Sequence, residues 1–428
     1  MIQGKLKNGL VLKSLKGATY TVVKLLGSGG QGEVYEVNSS EGRKALKWYF
    51  KATSTSEQKN NIYNLVQTAA PSNNFLWPED FISADDGTFG YIMKLRPSNY
   101  KGIPDLLNNL IDVDFKNLVL AVFNLAKEYN LLHQKGFSYK DISDKNVFFD
   151  PKTGNVLICD NDNASINGLA DSGVYGTMRF MAPEIVRGEA VPSRNTDLYS
   201  LAVLIFNMLF ISHPLEGKNE YNIHALDENA CKRLYGKNPI FIFDPNDKTN
   251  APVPGWHDNA IIYWNIYPQF LKDVFIKAFT EGINIPSKRI VERTWMDVAS
   301  KLYDSIIECP NCGAQIFVDP DKNERECWGC KRKVLCPPKL KIGNKTIIIK
   351  LDTIIRSHHI NNDFDLDTKV GTVTQNPKNP ALWGLKNETN DVWTYIKSDG
   401  TQIQVAPGRN AALVAGSKIN FGKVIAEI

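Results

Sequence analysis

The sequence lacks any long hydrophobic run. Its longest, residues 198–211, is about 14 residues, short of the roughly 18–20 that span a bilayer, so it predicts a core helix. The opening MIQGKLKNGLVLKSLKG has no apolar stretch of signal-peptide length. Neither sign of charge is in excess: 50 Lys+Arg against 46 Asp+Glu leaves +4. Charge balance alone therefore does not announce nucleic acid or an anionic membrane as the main partner. No internal repeat or low-complexity tract is evident. Cysteines are few and odd in number, seven in all. With two CxxC pairs among them, they argue for metal and a reducing cytoplasm over a disulfide framework.

What is present is ordinary globular composition, 43% apolar and 22% charged, which excludes a disordered, collagen-like or coiled-coil chain. At about 150 residues per domain, the 428 residues suggest roughly three domains. Residues 19–50 read as short strands broken by GSGGQG and NSSEGR, with further strands near 79–84 and 90–95. Residues 54–68 read as a helix, and 3.6-residue periodicity recurs at 116–134, 196–211, 268–280 and 294–307. A Cys-rich stretch, 308–336, precedes a segment of alternating strands and turns. The expected architecture is α+β: a small β-rich lobe, a larger helical lobe, a metal knuckle and a C-terminal all-β sandwich.

Gly27-Ser28-Gly29-Gly30-Gln31-Gly32-Glu33-Val34 is GxGxxGxV between two predicted strands. Glycines let backbone N–H groups approach phosphates without a Cβ in the way. A strand follows rather than a helix, which disfavours a dinucleotide fold. Ala45-Leu46-Lys47 then offers one ammonium on an apolar strand. Tyr139-Lys140-Asp141-Ile142-Ser143-Asp144-Lys145-Asn146 places an Asp and an Asn five residues apart. Asp141 suits a hydroxyl proton, and Asn146 a Mg²⁺ ion. Asp160 ends the strand VLIC, a carboxylate suited to a divalent metal. Gly176-Thr177-Met178-Arg179-Phe180-Met181-Ala182-Pro183-Glu184 follows, and then Asp197 in TDLYSLA.

In this order and spacing the motifs resemble a eukaryotic-type protein kinase domain over residues 12–307, with lobes 12–96 and 97–307. The resemblance implies that Gly27, Ser28, Gly29, Gly30 and Gly32 cover the phosphates of ATP, with Val34 and Ala45 against the adenine. Lys47 would hold the α- and β-phosphates. Met93 would lie behind the adenine, paired by the backbone of Lys94 and Leu95. Asp141 would be the base, Asn146 and Asp160 the ligands of Mg²⁺ or Mn²⁺, and Lys145 the cation at the γ-phosphate. Thr177 and the following segment resemble a platform for a peptide hydroxyl. Glu184 would pair with Arg289, and Asp197 would brace the 139–141 loop.

The departures are specific. Asp160-Asn161-Asp162 stands where the family has Asp-Phe-Gly, losing an apolar plug and a hinge. Asp162 is an alternative metal ligand. Ser143 occupies the usual Lys place, two residues before Lys145. Glu57, the sole acid in the 54–68 helix, is a candidate partner for Lys47 or simply a first-turn charge. Ser165, Ser172 and Tyr175 are candidate phosphorylation sites, with Lys140 as a charge partner.

Cys309, Cys312, Cys327 and Cys330 are two CxxC turns with 14 residues between them, a pattern that closes a Zn²⁺ tetrahedron and resembles a zinc ribbon over 308–337. The basic turn Lys331-Arg332-Lys333 is offset by Asp319, Asp321, Glu324 and Glu326, so nucleic acid is not expected. Cys336 is a spare, and Cys159 and Cys231 read as core residues. Residues 338–428 resemble the later strands of a forkhead-associated sandwich through Trp383-Gly-Leu-Lys-Asn387 and Leu413-Val-Ala-Gly-Ser-Lys-Ile419. That family binds phosphothreonine, but Arg356-Ser357-His358-His359 only approximates its motif, and docking of a protein or of the kinase lobe is the preferred reading. The three modules together resemble the kinase of bacterial tellurite-resistance-associated triads. This resemblance implies a von Willebrand factor A protein and a metal-dependent phosphatase as partners. The expected activity is phosphoryl transfer from ATP to Ser/Thr hydroxyls of partner proteins and of the chain itself. The alternative is a pseudokinase scaffold that binds nucleotide and partners without transfer. A small-molecule kinase fits the Thr177–Glu184 platform less well.

Overall fold

Lys44 to Tyr49 alternate in the direction their side chains take, as a pleated strand requires. Ala45 and Tyr49 join one buried cluster with Tyr91 and Met93, whereas Leu46 and Trp48 join another with Tyr35, Val37 and Ile92. This strand lies inside a six-stranded antiparallel sheet of the computed structural model, which describes residues 4–167, 176–319, 322–361 and 363–428. The strands are β1 (Val11–Lys13), β2 (Thr19–Ser28), β3 (Gly32–Ser39), β4 (Gly42–Tyr49), β5 (Asp80–Ser83) and β6 (Phe89–Lys94), in the order β1-β2-β3-β4-β6-β5. Lys47 projects from the face of Ala45 and Tyr49. The helix α1 (Ser56–Val66) packs on that face through Ile62. The Thr55 side chain caps α1 by accepting from the Gln58 N–H.

Two compact units divide the chain: Met1–Asn265 with Lys272–Trp295, and Ile266–Leu271 with Met296–Ile428. In the first, the sheet is followed by mostly helical chain. The helix Phe115–Gln134 is capped by Asp114 and buries Leu118, Val122, Leu125, Tyr129 and Leu132 along one stripe. The helix Arg194–Phe210 is buried continuously from Thr196 to Phe210. This accounts for the apolar run in the sequence: it is the core helix of the lobe, with no polar face to preserve. A small hairpin, Val147–Phe149 against Val156–Ile158, carries the loops on either side of it to the sheet-facing surface of this lobe.

In the second unit, two short antiparallel pairs come first: Ile306–Glu308 with Gln315–Phe317, and Glu324–Glu326 with Lys333–Leu335. Two antiparallel sheets follow. The six-stranded one runs Lys345–Ile348, Lys339–Ile342, Ile425–Glu427, Lys418–Asn420, Trp393–Ile396, Gln402–Val405. The four-stranded one runs Ile354–Arg356, Lys369–Asn376, Asn379–Asn387, Asn410–Ala412. One core joins them, with Leu340, Ile347, Trp393 and Ile419 from the first and Ile355, Val373, Leu385 and Ala411 from the second. Among the described residues, no helix is long and apolar enough to cross a membrane.

Candidate active site

A cavity of about 830 Å³ opens between the sheet and the helical lobe of the first unit. Its walls carry the glycine loop from Gly27 to Gly32, Val34, Ala45, Lys47, and the Met93–Leu95 segment. Asp141, Lys145 and Asp160 line it from the other side. Of the residues assigned from sequence to the site, Asn146, the alternative ligand Asp162 and Thr177 are not on the wall; Asn146 is buried and donates to Asp141.

The glycine loop is the turn between β2 and β3. Cβ atoms added at Gly27, Gly29 or Gly30 would meet nothing within 4 Å, so the loop backbone faces open space. Gly32 differs: a Cβ there would lie 2.1 Å from the Trp48 carbonyl oxygen of β4.

Asp141 sits at the centre of a local network. One oxygen accepts from both the amide and the hydroxyl of Thr177, at 2.8 and 2.9 Å. The other accepts from Asn146 Nδ2 at 3.0 Å. Because the Asn146 nitrogen is committed to Asp141, its oxygen is the end left for a metal. Burial raises the Asp141 pKa, and the Thr177 and Asn146 hydrogen bonds oppose that rise. Gly176, at φ +96°, makes the approach possible, since a Cβ there would lie 2.7 Å from the Lys140 carbonyl. Asp197 holds the loop from below, accepting from the N–H groups of Tyr139 at 2.6 Å and Lys140 at 2.9 Å. Lys145 is exposed at the mouth of the cavity. Glu184 and Arg289 form a two-pronged pair, both prongs at 2.8 Å.

Lys47 does not meet Glu57. Glu57 points to solvent, and the buried residue on that turn of α1 is its neighbour Gln58. Lys47 Nζ instead lies 2.8 Å from Asp162 Oδ2 and 3.6 Å from Asp160 Oδ1. Burial works against the ammonium, but the charges of Asp162 and Asp160 outweigh it and raise its pKa. The two carboxylates separate in character. Burial lifts Asp160, while Lys47 and the hydroxyls of Tyr49 and Tyr91 overcome burial at Asp162 and lower it. Asp160 adopts a left-handed backbone, φ 50°, and keeps its side chain 40% exposed. Asn161, in the place of the family's Phe, is fully buried and donates to the Ile158 carbonyl at 2.9 Å. Of the hydroxyls singled out for modification, Ser165 is half-buried, and Ser172 and Tyr175 lie outside the described residues.

In the second unit the four knuckle thiols converge. Cys309 and Cys330 Sγ are 3.8 Å apart, and Cys312 and Cys327 Sγ 3.7 Å. A Zn²⁺ with Zn–S bonds of about 2.3 Å needs tetrahedron edges of about 3.8 Å, so these thiols fit the ion. The two turns are alike. Gly313 N–H donates to the Cys309 carbonyl and Lys331 N–H to that of Cys327, each at 2.9 Å. Asp321 of the surrounding acids lies outside the described residues.

His358 and His359 are buried against Asp304, whose Oδ2 is 3.4 Å from one Nε2 and 2.9 Å from the other. His359 Nδ1 accepts the Arg356 N–H at 2.8 Å, so its Nε2 carries the proton directed at Asp304. That tautomer leaves Nε2 no lone pair for a metal. Sequence reasoning missed Asp304 and Gln58, because neither belongs to a motif.

A family model, the protein kinase domain, matches residues 20–253, more than half of the chain. Protein kinase YegI of Escherichia coli is 22% identical over 324 residues, covering 71% of this chain and 48% of that protein. The probable serine/threonine-protein kinase PknB of Bifidobacterium longum is 25% identical over 226 residues, covering 48% of this chain and 32% of that protein. The chain thus spans less than half the length of these curated relatives. The solved kinase domain of Mycobacterium tuberculosis PknI is 20% identical, with a TM-score of 0.46 over 69% of this chain and 98% of that one. The chain belongs to the protein kinase family.

Proposed function

We propose that the protein transfers the γ-phosphate of ATP to Ser/Thr hydroxyls of partner proteins and of itself. The observation that carries this reading is the convergence of Lys47, Asp141 and Asp160 on one cavity beneath an open glycine loop. Asp141 would orient and accept the substrate hydroxyl proton, with Thr177 fixing one of its oxygens. Asp160 and the oxygen of Asn146 would hold Mg²⁺, which when bound screens the phosphate charge. Lys47 would position the α- and β-phosphates, and Lys145 would meet the γ-phosphate. Met93, Lys94 and Leu95 would receive the adenine. The hydroxyl class rests on the Thr177–Asp141 bond and on the serine/threonine kinases among the relatives.

The proposed module boundaries are 12–307, 308–337 and 338–428. The Cys309–Cys330 knuckles would hold structural Zn²⁺, and the sandwich would dock a protein. A von Willebrand factor A protein and a metal-dependent phosphatase are the first partners to try, on the strength of the triad resemblance.

The test is transfer of radiolabelled phosphate from Mg-ATP to the chain and to a generic basic substrate, beside Asp141→Asn. Transfer that vanishes in the variant supports the reading. Nucleotide binding without transfer in the wild type would replace it with the pseudokinase scaffold.

A further inference from the structure

A lysine buried to 5% exposure keeps its charge only beside a carboxylate. In this chain the helix packed nearest offers none: Glu57, the sole acid of α1, faces solvent, and Gln58 is the residue turned inward. The carboxylate comes from the loop after the hairpin. Asp162 is fully buried, and both of its oxygens are engaged. Its Oδ2 takes Lys47 Nζ at 2.8 Å and the Tyr49 hydroxyl, and its Oδ1 takes the Tyr91 hydroxyl at 3.1 Å. The helix contributes amides instead. Asn61 Nδ2 donates to the Asp162 carbonyl at 2.8 Å, and Gln58 Nε2 to the same carbonyl at 3.4 Å and to Tyr49 Oη at 3.1 Å.

The geometry points to Asp162 as the positioning residue for Lys47, a counter-ion transferred from the helix to the metal-binding loop. This deepens the kinase reading and rests on it for its catalytic consequence. The usual division is inverted: α1 clamps the loop through Gln58 and Asn61, and the loop clamps the lysine. Two observations separate Asp162 from Asp160. Asp160 lines the cavity and is partly exposed, whereas Asp162 does not line it and has both oxygens engaged. A metal drawn to Asp160 would therefore leave Lys47 its partner. The same bonds weigh against Asp162 as a metal ligand, since taking a metal would strip Lys47 and two tyrosine hydroxyls of their acceptor.

The experiment uses the full chain, with Asp162→Asn, the relocated Asp162→Asn/Gln58→Glu, and Glu57→Gln as a control. Two readouts are taken: kcat for phosphoryl transfer, and the pH midpoint at which an adenosine-based amine-acylating reagent modifies Lys47, followed by mass spectrometry. In Asp162→Asn the midpoint should fall by about one pH unit or more, because the ammonium has lost its main counter-charge. The kcat should fall about tenfold or more. Gln58→Glu in that background should restore both in part, and Glu57→Gln should change neither. An unmoved midpoint, or kcat within about twofold of wild type, overturns the proposal. So does a folded double variant that restores neither readout, since the loss would then be loop collapse. If Asp162→Asn does not fold, Asp162→Ser removes the same charge with a smaller side chain and should lower the midpoint likewise, and no shift there overturns the proposal. A wild type that transfers no phosphate yet gives the midpoint shift sinks the kinase reading and leaves the pairing intact.

Discussion

Thr177 sets its amide and its hydroxyl on a single oxygen of Asp141, at 2.8 and 2.9 Å. Hydrogen bonds to a charged group are worth about 1.5–3 kcal/mol each. Thr177→Ala should therefore lower kcat by about tenfold to a hundredfold, with Thr177→Ser near wild type. Steady-state phosphorylation of a protein substrate reads this. An alanine variant as fast as the serine variant would show the hydroxyl to be dispensable.

His133 should give stability a pH optimum. Both ring nitrogens face carboxylates, Nε2 to Asp197 at 3.1 Å and Nδ1 to Glu292. Burial disfavours the imidazolium, but the two hydrogen bonds win and raise its pKa above 6.5. Burial likewise works against the Glu292 carboxylate, and His133 brings it from 4.5 down to about 2. The His133 contribution is whole below about pH 6.5 and fades as pH rises through the raised value. The Glu292 contribution is whole above about pH 4.5 and fades as pH falls toward 2. The Tm difference between wild type and His133→Gln should thus be largest between about pH 4.5 and 6.5. A difference that is flat from pH 5 to 9 would contradict this.

Zinc should be measurable at one equivalent per chain, through Cys309, Cys312, Cys327 and Cys330. Beneath the knuckles lies a small core that includes Ile307, Ile316, Val318, Val334 and Ile348. Chelation, or Cys327→Ser, should open the 305–336 region to protease while leaving nucleotide binding intact. Elemental analysis that finds no metal in protein with ordered knuckles would exclude the site.

Glycines of one loop should divide by phenotype. Gly32→Ala forces a Cβ to 2.1 Å from the Trp48 carbonyl, so it should lower Tm through the β3–β4 pairing. Gly29→Ala has open space and should leave Tm unchanged, but raise the KM for ATP by crowding the phosphates. Equal Tm losses in the two variants would refute the distinction.

Much of the site is legible because its parts are local. Asp141 and Asn146 are five residues apart, and the glycine loop is a single turn. Asp197, though distant, sits at the head of an unmistakable apolar helix. The partner of Lys47 was less accessible. Glu57 and Gln58 are adjacent, and about 100° of helix rotation decides which one is buried. The periodicity of a short, polar helix does not fix that angle. The signal that would have served was the acid at position 162, where the family keeps a glycine. Asp304 is joined to His358 and His359 across more than fifty residues, with no pattern linking them. The strands of the sandwich were readable from alternation, but their sheet order was not, because the pairing of Lys339–Ile342 with Ile425–Glu427 joins the ends of the module.

Cys159 lines the cavity beneath the glycine loop, one residue before Asp160. Burial and that carboxylate push its thiol well above the ordinary range. Peroxides and alkylating agents attack thiolates, so this sulfur is a poor target even where a small molecule reaches it. Cys312 of the knuckle differs in exposure, standing open to solvent, although its neighbouring thiols raise it as well. Exposure alone would make the knuckle the first place an oxidant meets, while the thiol beside Asp160 is guarded by both burial and charge.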